Sequence, residues 1–163
     1  MSVIIRQWQP QRMIEREQIE QIESHGRGLP AAELDGMLYD NQCWCIVAED
    51  ERCKAVVGYL AYYLRPRHVR IASVGVYPSW RRQGVGRGLV VAVAKLYRMV
   101  QHGTTAILSE YDLPSQLFFQ RCGFRWIDTI PGSEDQYIMR WHAGGAAVPW
   151  GTANRVAAHY GGR

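Results

Sequence analysis

Arg81-Arg82-Gln83-Gly84-Val85-Gly86-Arg87-Gly88 sets three glycines among three arginines, directly behind a β-prone run, Ser73 to Tyr77, that Pro78 closes. From Val85 onward Leu89, Ala92, Leu96 and Val100 recur at helical spacing, so the glycines fall at a strand-to-helix junction. Glycine tolerates positive φ and admits a ligand to the backbone, and the free N–H groups of a first helical turn point one way. The stretch therefore predicts a cradle for an anion such as phosphate or pyrophosphate.

The spacing excludes two anion-binding classes. Gly86 is followed by Arg87 and Gly88, so no Ser or Thr is placed to hold magnesium as in a nucleoside triphosphatase loop. The dinucleotide pattern Gly-x-Gly-x-x-Gly fails because Leu89 stands where its last glycine belongs. What remains is an anion with no obligatory metal, and no metal site is expected. Arginines 65, 67, 70, 81, 82 and 87 are expected to gather around the cradle.

Arg81-x-x-Gly84-x-Gly86 resembles the pyrophosphate loop of the GNAT superfamily of acyl-CoA-dependent N-acyltransferases, which reads Arg or Gln, two residues, Gly, one residue, Gly or Ala. Val76-Tyr77-Pro78 matches the Val-x-Pro that precedes that loop, and Leu117 to Phe124 matches the short helix ending in Gly-Phe that follows it. The resemblance runs from Val3 to Trp141. It implies an α/β fold with a mixed central sheet flanked by helices, and with two strands splayed at the acyl-CoA site. It also implies acetyl-CoA as acyl donor, held by Arg81, Arg82, Gln83, Gly84, Val85, Gly86 and Arg87, by the backbone of Val74 and Val76, and by the positions of Asp112 and Phe119. The Val76 amide is the implied oxyanion donor.

The proton-transfer positions depart from the family. Its leaving-group tyrosine falls at Phe119, which has no proton to give, and its cofactor-contacting asparagine falls at Asp112. Alignment of the two reactants contributes ~7–11 kcal/mol and a general acid only ~10²–10⁴ in rate, so the loss lowers a rate without abolishing it. Tyr111 is the first candidate acid, Ser109 or Cys122 the second, and Glu110 the candidate base. A weak base favours an α-amine, reference pKa about 7.7–8.0, over a lysine near about 10.4.

A chain of 163 residues, 47% hydrophobic and 21% charged, suits one globular core, with residues 1–142 as the domain and 143–163 as a Gly/Ala-rich extension. Trp150 gives that extension a means to anchor on the domain or, in a homodimer, on a second subunit. Cys43, Cys45, Cys53 and Cys122 lack CxxC spacing, which favours buried thiols in a reducing cytoplasm over a metal site. The longest apolar run, Leu89 to Ala94, is too short for a membrane span.

In order, the pattern predicts strands over Val3–Trp8, Cys43–Ala48, Val56–Leu64, Val69–Val76, Thr105–Ser109, Arg125–Ile130 and Gln136–Trp141. Helices are expected from Pro10 to Ser24, from Ala31 to Tyr39, behind the cradle, and from Asp112 or Pro114 through Phe119. Gly75 marks a bulge or a close backbone approach. By the resemblance the first two helices cover the acceptor pocket, with Leu34, Met37 and Tyr39 as candidate linings and Tyr59, Tyr62, Tyr63 and Trp80 beside them.

Three functions compete: an N-acetyltransferase acting on a protein N-terminus, a lysine or a small amine; a non-catalytic acyl-CoA-binding regulatory module; and a nucleic-acid-binding domain using the arginines. A net charge of +4 without a base-stacking motif disfavours the last.

Overall fold

The computed structural model describes residues 2–26 and 28–142, and the extension with Trp150 lies outside them. The elements are β1 (Val3–Gln7), α1 (Met13–Ser24), α2 (Ala31–Leu38), β2 (Cys43–Asp50), β3 (Val56–Leu64), β4 (Val69–Val76), α3 (Val85–Leu96), β5 (Thr104–Ser109), α4 (Leu113–Arg121), β6 (Phe124–Thr129) and β7 (Gln136–Trp141). One sheet runs β1-β2-β3-β4-β5-β7-β6. β1 pairs antiparallel with β2 after the chain has passed through α1 and α2, and short turns make β2 to β4 an antiparallel meander. The connection through α3 then sets β5 parallel to β4.

That parallel pairing lasts three residues, Val69–Ile71 against Thr104–Ala106. Beyond it β4 stays on β3 while β5 pairs with β7, so the two central strands part and leave a wedge-shaped gap. Ala72 is bulged at the same point, since Ser73 pairs with Ala61 and Ile71 with Tyr62. An extra residue reverses the parity of the strand. Val69 and Ile71 face the core on one side before the bulge, and Val74 and Val76 take up that side after it. Gly75 is the close approach: a Cβ there would lie 2.7 Å from Ile22 Cγ2 and 2.8 Å from Tyr59 Cε1.

Each face of the sheet has its own core. α3 and α4 cover one built on Leu60, Leu89, Val90, Val93, Phe124 and Met139. α1 and α2 cover another built on Ile19, Ile22, Leu34, Val47 and Tyr59, which is confined to the β1–β4 half. α3 stops at Leu96, short of Val100. Its buried stripe follows Val85, Leu89, Val90, Val93 and Ala94; Leu96 continues the edge of that stripe, between Val85 and Leu89 around the axis, but as the last residue of the helix it is 68% exposed.

Arg65, Arg67 and Arg70 do not join the cradle. They occupy the β3–β4 turn and the start of β4, and a strand of eight residues separates its ends by about 25 Å.

Candidate active site

Gly84 closes the loop behind β4 in the left-handed region, φ 84°, and caps α3. The first helical bond runs from the Gly88 N–H to the Gly84 carbonyl, 2.8 Å. The amides of Val85, Gly86 and Arg87 therefore precede any intrahelical acceptor and face outward at the positive end of the helix dipole. Arg82, also at positive φ, 59°, turns the chain just ahead of them.

These amides open on a cleft of about 920 Å³ between the end of β4, α3 and α4. Val74, Val76, Gly84, Val85, Gly86 and Phe119 line it. Arg81, Arg82, Arg87, Lys95 and Arg121 supply its charge, and Ser115, Cys122 and His142 its other polar side chains. None of these cations forms an ion pair among the described residues. A basic, amide-lined cleft fits the phosphates of acetyl-CoA, and its length alongside β4 fits a long flexible arm.

The β3–β4 register fixes how β4 presents its backbone. The Tyr77 N–H donates to the Val57 carbonyl, 2.8 Å, so in this antiparallel ladder Gly75 against Tyr59 is the next hydrogen-bonded pair. Val76 against Gly58 and Val74 against Leu60 are the alternate pairs, whose N–H and C=O groups point away from β3. On that side β5 has departed. Val74 and Val76 thus aim their amides into the gap, while the Val76 carbonyl accepts from Arg81 Nε at 3.0 Å.

Arg81 has a second task. Its Nη2 donates to the His25 carbonyl at the end of α1, 2.7 Å, and the His25 ring meets Tyr77 edge-on at 5.6 Å. The guanidinium ties the loop to β4 and to α1 together. Gln83 turns away, its Nε2 on the Ser79 carbonyl at 2.8 Å. Asp112 caps α4, accepting from the Ser115 N–H at 3.2 Å, and like Gln83 it is absent from the cleft wall.

Phe119 is buried, with its ring edge-on to Phe118 and Phe124 at 5.2 and 5.1 Å. It lends the wall shape and no proton. Glu110 and Tyr111 lie exposed beyond β5, and the Tyr111 hydroxyl is held above its ordinary value by its hydrogen bond to Glu110. Two further protonated groups stand at this end of the sheet, buried Cys122 in the cleft wall and half-buried Tyr137 outside it. Burial pushes the Cys122 thiol up to about 12, with Arg87 pulling the other way. Burial, with Asp112 and Glu110 adding to it, pushes the Tyr137 hydroxyl up to about 12. Tyr137 escaped the sequence reading because only the β5–β7 register, Leu108 against Tyr137, brings it to this end of the sheet.

Among the aromatic acceptor-side candidates, Tyr59 and Tyr62 are core residues. Tyr59 donates to buried Glu23, contacts Ser73 Oγ at 2.8 Å, and so joins α1 to the floor of β4. Leu34 is fully buried, and Tyr39 is exposed against Trp8. Tyr63 lies half-buried under the guanidiniums of Arg65 and Arg70. Among the described residues no cluster of His, Cys, Asp or Glu could hold a metal, and no helix is long and apolar enough to cross a membrane.

Comparison with known proteins agrees with this geometry. The sequence model of the Acetyltransferase (GNAT) family matches residues 5–124. Among solved structures, Arabidopsis thaliana NAA60 in complex with a bisubstrate analogue is 17% identical, with a TM-score of 0.66 over 89% of this chain and 100% of that one. The ribosomal-protein-S18-alanine N-acetyltransferase from Escherichia coli is 15% identical, TM-score 0.66, over 88% and 97%. Aminoglycoside 6'-acetyltransferase type Ii is 15% identical, TM-score 0.67, over 83% and 94%. A search of curated protein sequences gave no significant match.

Proposed function

The chain belongs to the GNAT acetyltransferase family, and from that premise we propose that it transfers an acetyl group from acetyl-CoA to a primary amine by direct attack. One observation carries the reading: the outward amides of Val74 and Val76 border the cleft that the first-turn amides of α3 also line. A single extended ligand with a phosphate at one end and an amide-bearing arm at the other satisfies both sets.

In this reading the loop from Arg81 to Arg87 holds the pyrophosphate and Val74 and Val76 hold the arm. Of these loop residues Gln83 acts through the loop's shape, since its side chain is spent on Ser79. The Val76 amide serves the developing oxyanion, a contribution of ~3–4 kcal/mol for one such donor. Holding acetyl-CoA and the amine in register contributes ~7–11 kcal/mol. Glu110 takes the proton of the amine, directly or through water. Cys122, protonated in the cleft wall, and Tyr137 stand beside Tyr111 as donors to the departing thiolate. The four cysteines are free thiols, which fits a reducing compartment such as the cytoplasm.

Phe119 in the wall keeps a second reading alive, that of a non-catalytic acyl-CoA-binding module. Thiol release from acetyl-CoA, followed with a panel of α-amine peptides, lysine peptides and small amines across pH, separates the two. Transfer is expected, faster on α-amines. Tight coenzyme A binding with no release on any amine would establish the module instead.

A further inference from the structure

The sheet face opposite α3 and α4 carries a row of charge that acetyl-CoA does not use. In register across five strands stand Tyr63, Arg70, Thr105, Arg140 and Arg125. Directly paired residues share a face. Their neighbours Tyr62, Val69, Ile71, Ala106, Met139 and Phe124 all belong to the α3/α4 core, so this row points the other way. The helices on that side pack on β2, β3 and β4, which leaves Arg125 exposed and Arg70 and Arg140 half-exposed.

None of the three arginines has a carboxylate within ion-pair reach among the described residues. Arg140 Nε is buried and has no acceptor among the described residues. Asp128, on the same face opposite Ile138, accepts instead from the Thr129 N–H at 2.8 Å. Further positive charge gathers at this end. Burial first, then Arg70, His102, Arg65 and Arg140, hold His68 below its ordinary value.

Position gives the row its meaning. Arg70 and Thr105 pair at the root of the wedge, one residue before β4 and β5 part. A molecule lying on this face has its reactive end at the gap whose other side is the acetyl-CoA cleft. That cleft has its own cations in Arg82, Arg87, Lys95 and Arg121, so the phosphates make no demand on the row. Adjacent strands lie about 4.8 Å apart, which spreads the three guanidiniums over about 15 Å. That width takes more than one carboxylate, and guanidinium receives carboxylate in paired hydrogen bonds.

We propose that the acceptor amine belongs to a carboxylate-bearing molecule whose carboxylates rest on Arg70, Arg140 and Arg125. The proposal rests on the transferase reading for the amine and on the arginine row for the anion. It places polycationic amines, such as aminoglycosides and basic peptides, among poor acceptors. Arg70 precedes Val76 by six residues, about 20 Å along β4, so the acceptor is an acidic polypeptide N-terminus, long enough to span that distance, and not a free amino acid.

The test measures binding apart from transfer. With saturating coenzyme A at low salt, a dye-labelled peptide Ser-Glu-Asp-Glu-Ala is titrated by fluorescence anisotropy against its counterpart Ser-Lys-Arg-Lys-Ala. The acidic peptide is expected to bind about tenfold tighter or more. Arg70→Gln with Arg140→Gln should remove that preference, Arg70→Lys with Arg140→Lys should restore part of it, and coenzyme A affinity should hold throughout as the control for folding. Equal affinity for both peptides, an acidic preference that survives the double Gln variant, or row-dependent binding of duplex DNA in place of acidic peptide overturns the proposal. Acidic peptide that binds through the row but is never acetylated overturns the transferase reading alone, while equal kcat/KM on acidic and basic peptides overturns only the acceptor assignment.

Discussion

Arg6 and Arg140 are both strand residues whose side chains leave the sheet on the face away from α3, yet their surroundings are opposite. Arg6 lies 2.7 Å from Glu15 and 2.6 Å from Glu49, and nearby Arg16 reaches Asp35 at 2.9 Å and also pairs with Glu20. Arg140 stands across from Arg125, with no ion pair among the described residues. The first pair of residues belongs to the half of the molecule where helices cover both sides of the sheet, the second to the half covered on one side. Where an arginine holds the fold it arrives with its counter-ions. Where it stands without them beside a functional gap, its counter-ion is to be sought outside the chain.

Breaking the covered half has the largest expected effect. Arg6→Ala leaves Glu15 and Glu49, both buried, without their shared guanidinium, and removal of one partner of a buried pair costs about 3–5 kcal/mol. Urea denaturation measures it, and a loss below about 1 kcal/mol would put Arg6 in the class of surface pairs. The same network sets an acid limit. Burial pushes Glu15 up, but Arg6 and Arg12 outweigh it and hold its carboxyl below the ordinary value. A depressed folded pKa gives stability that is complete above the unfolded pKa and fades as pH falls through the folded one. Tm should therefore fall as pH drops below about 4, and Glu15→Gln should be less stable at neutral pH with a flatter fall. An acid slope equal in variant and parent would remove Glu15 from the account.

Much of this was legible in residues 56–88. A meander, a Pro78 break and a glycine loop before an apolar helical stripe are local patterns, and they placed β3, β4, α3 and the cradle. Side-chain destinations were not legible, because they depend on pairing across the sheet. Arg65 and Arg70 are close in sequence to Arg81 but lie at the other end of a strand, and the bulge at Ala72 reverses which β4 residues face the cleft. Arg70 lies far along the chain from Arg125 and Arg140, and the three meet only through strand register. Tyr137 comes to its place by the same route.

Smaller effects come from the loop between the two halves, where the two glycines are needed for different reasons. At Gly86 a Cβ would lie 3.2 Å from Phe118 Cε2 and 3.3 Å from Val76 Cγ2. Gly86→Val therefore overpacks the cleft wall, at about 1–3 kcal/mol, and should lose coenzyme A binding through that displacement. At Gly84 a Cβ meets nothing within 4 Å, but φ is +84°. Gly84→Ala should cost about 1–2 kcal/mol, and Gly84→Asn less, because asparagine visits this region more readily. Calorimetric titration with coenzyme A reads both. Equal losses for Ala and Asn at position 84 would mean that the ligand, not the backbone, requires the glycine.

The smallest expected effect has the opposite sign. Arg125 faces Arg140 directly across β6 and β7, and like charges so placed destabilise a sheet by about 0.2–1 kcal/mol. Arg125 is exposed and makes no ion pair among the described residues, so its removal breaks no bond that would offset the relief. Arg125→Gln should therefore raise stability slightly, most clearly at low salt, where the repulsion is least screened. Added salt should bring variant and parent together. An arginine whose loss stabilises the empty protein while weakening its hold on an acidic peptide is kept for the ligand, and denaturation of the variant at two ionic strengths decides it. A loss of stability that salt does not alter would mean that Arg125 holds the fold through packing of its stem, and the contrast with Arg6 would shrink to one of degree.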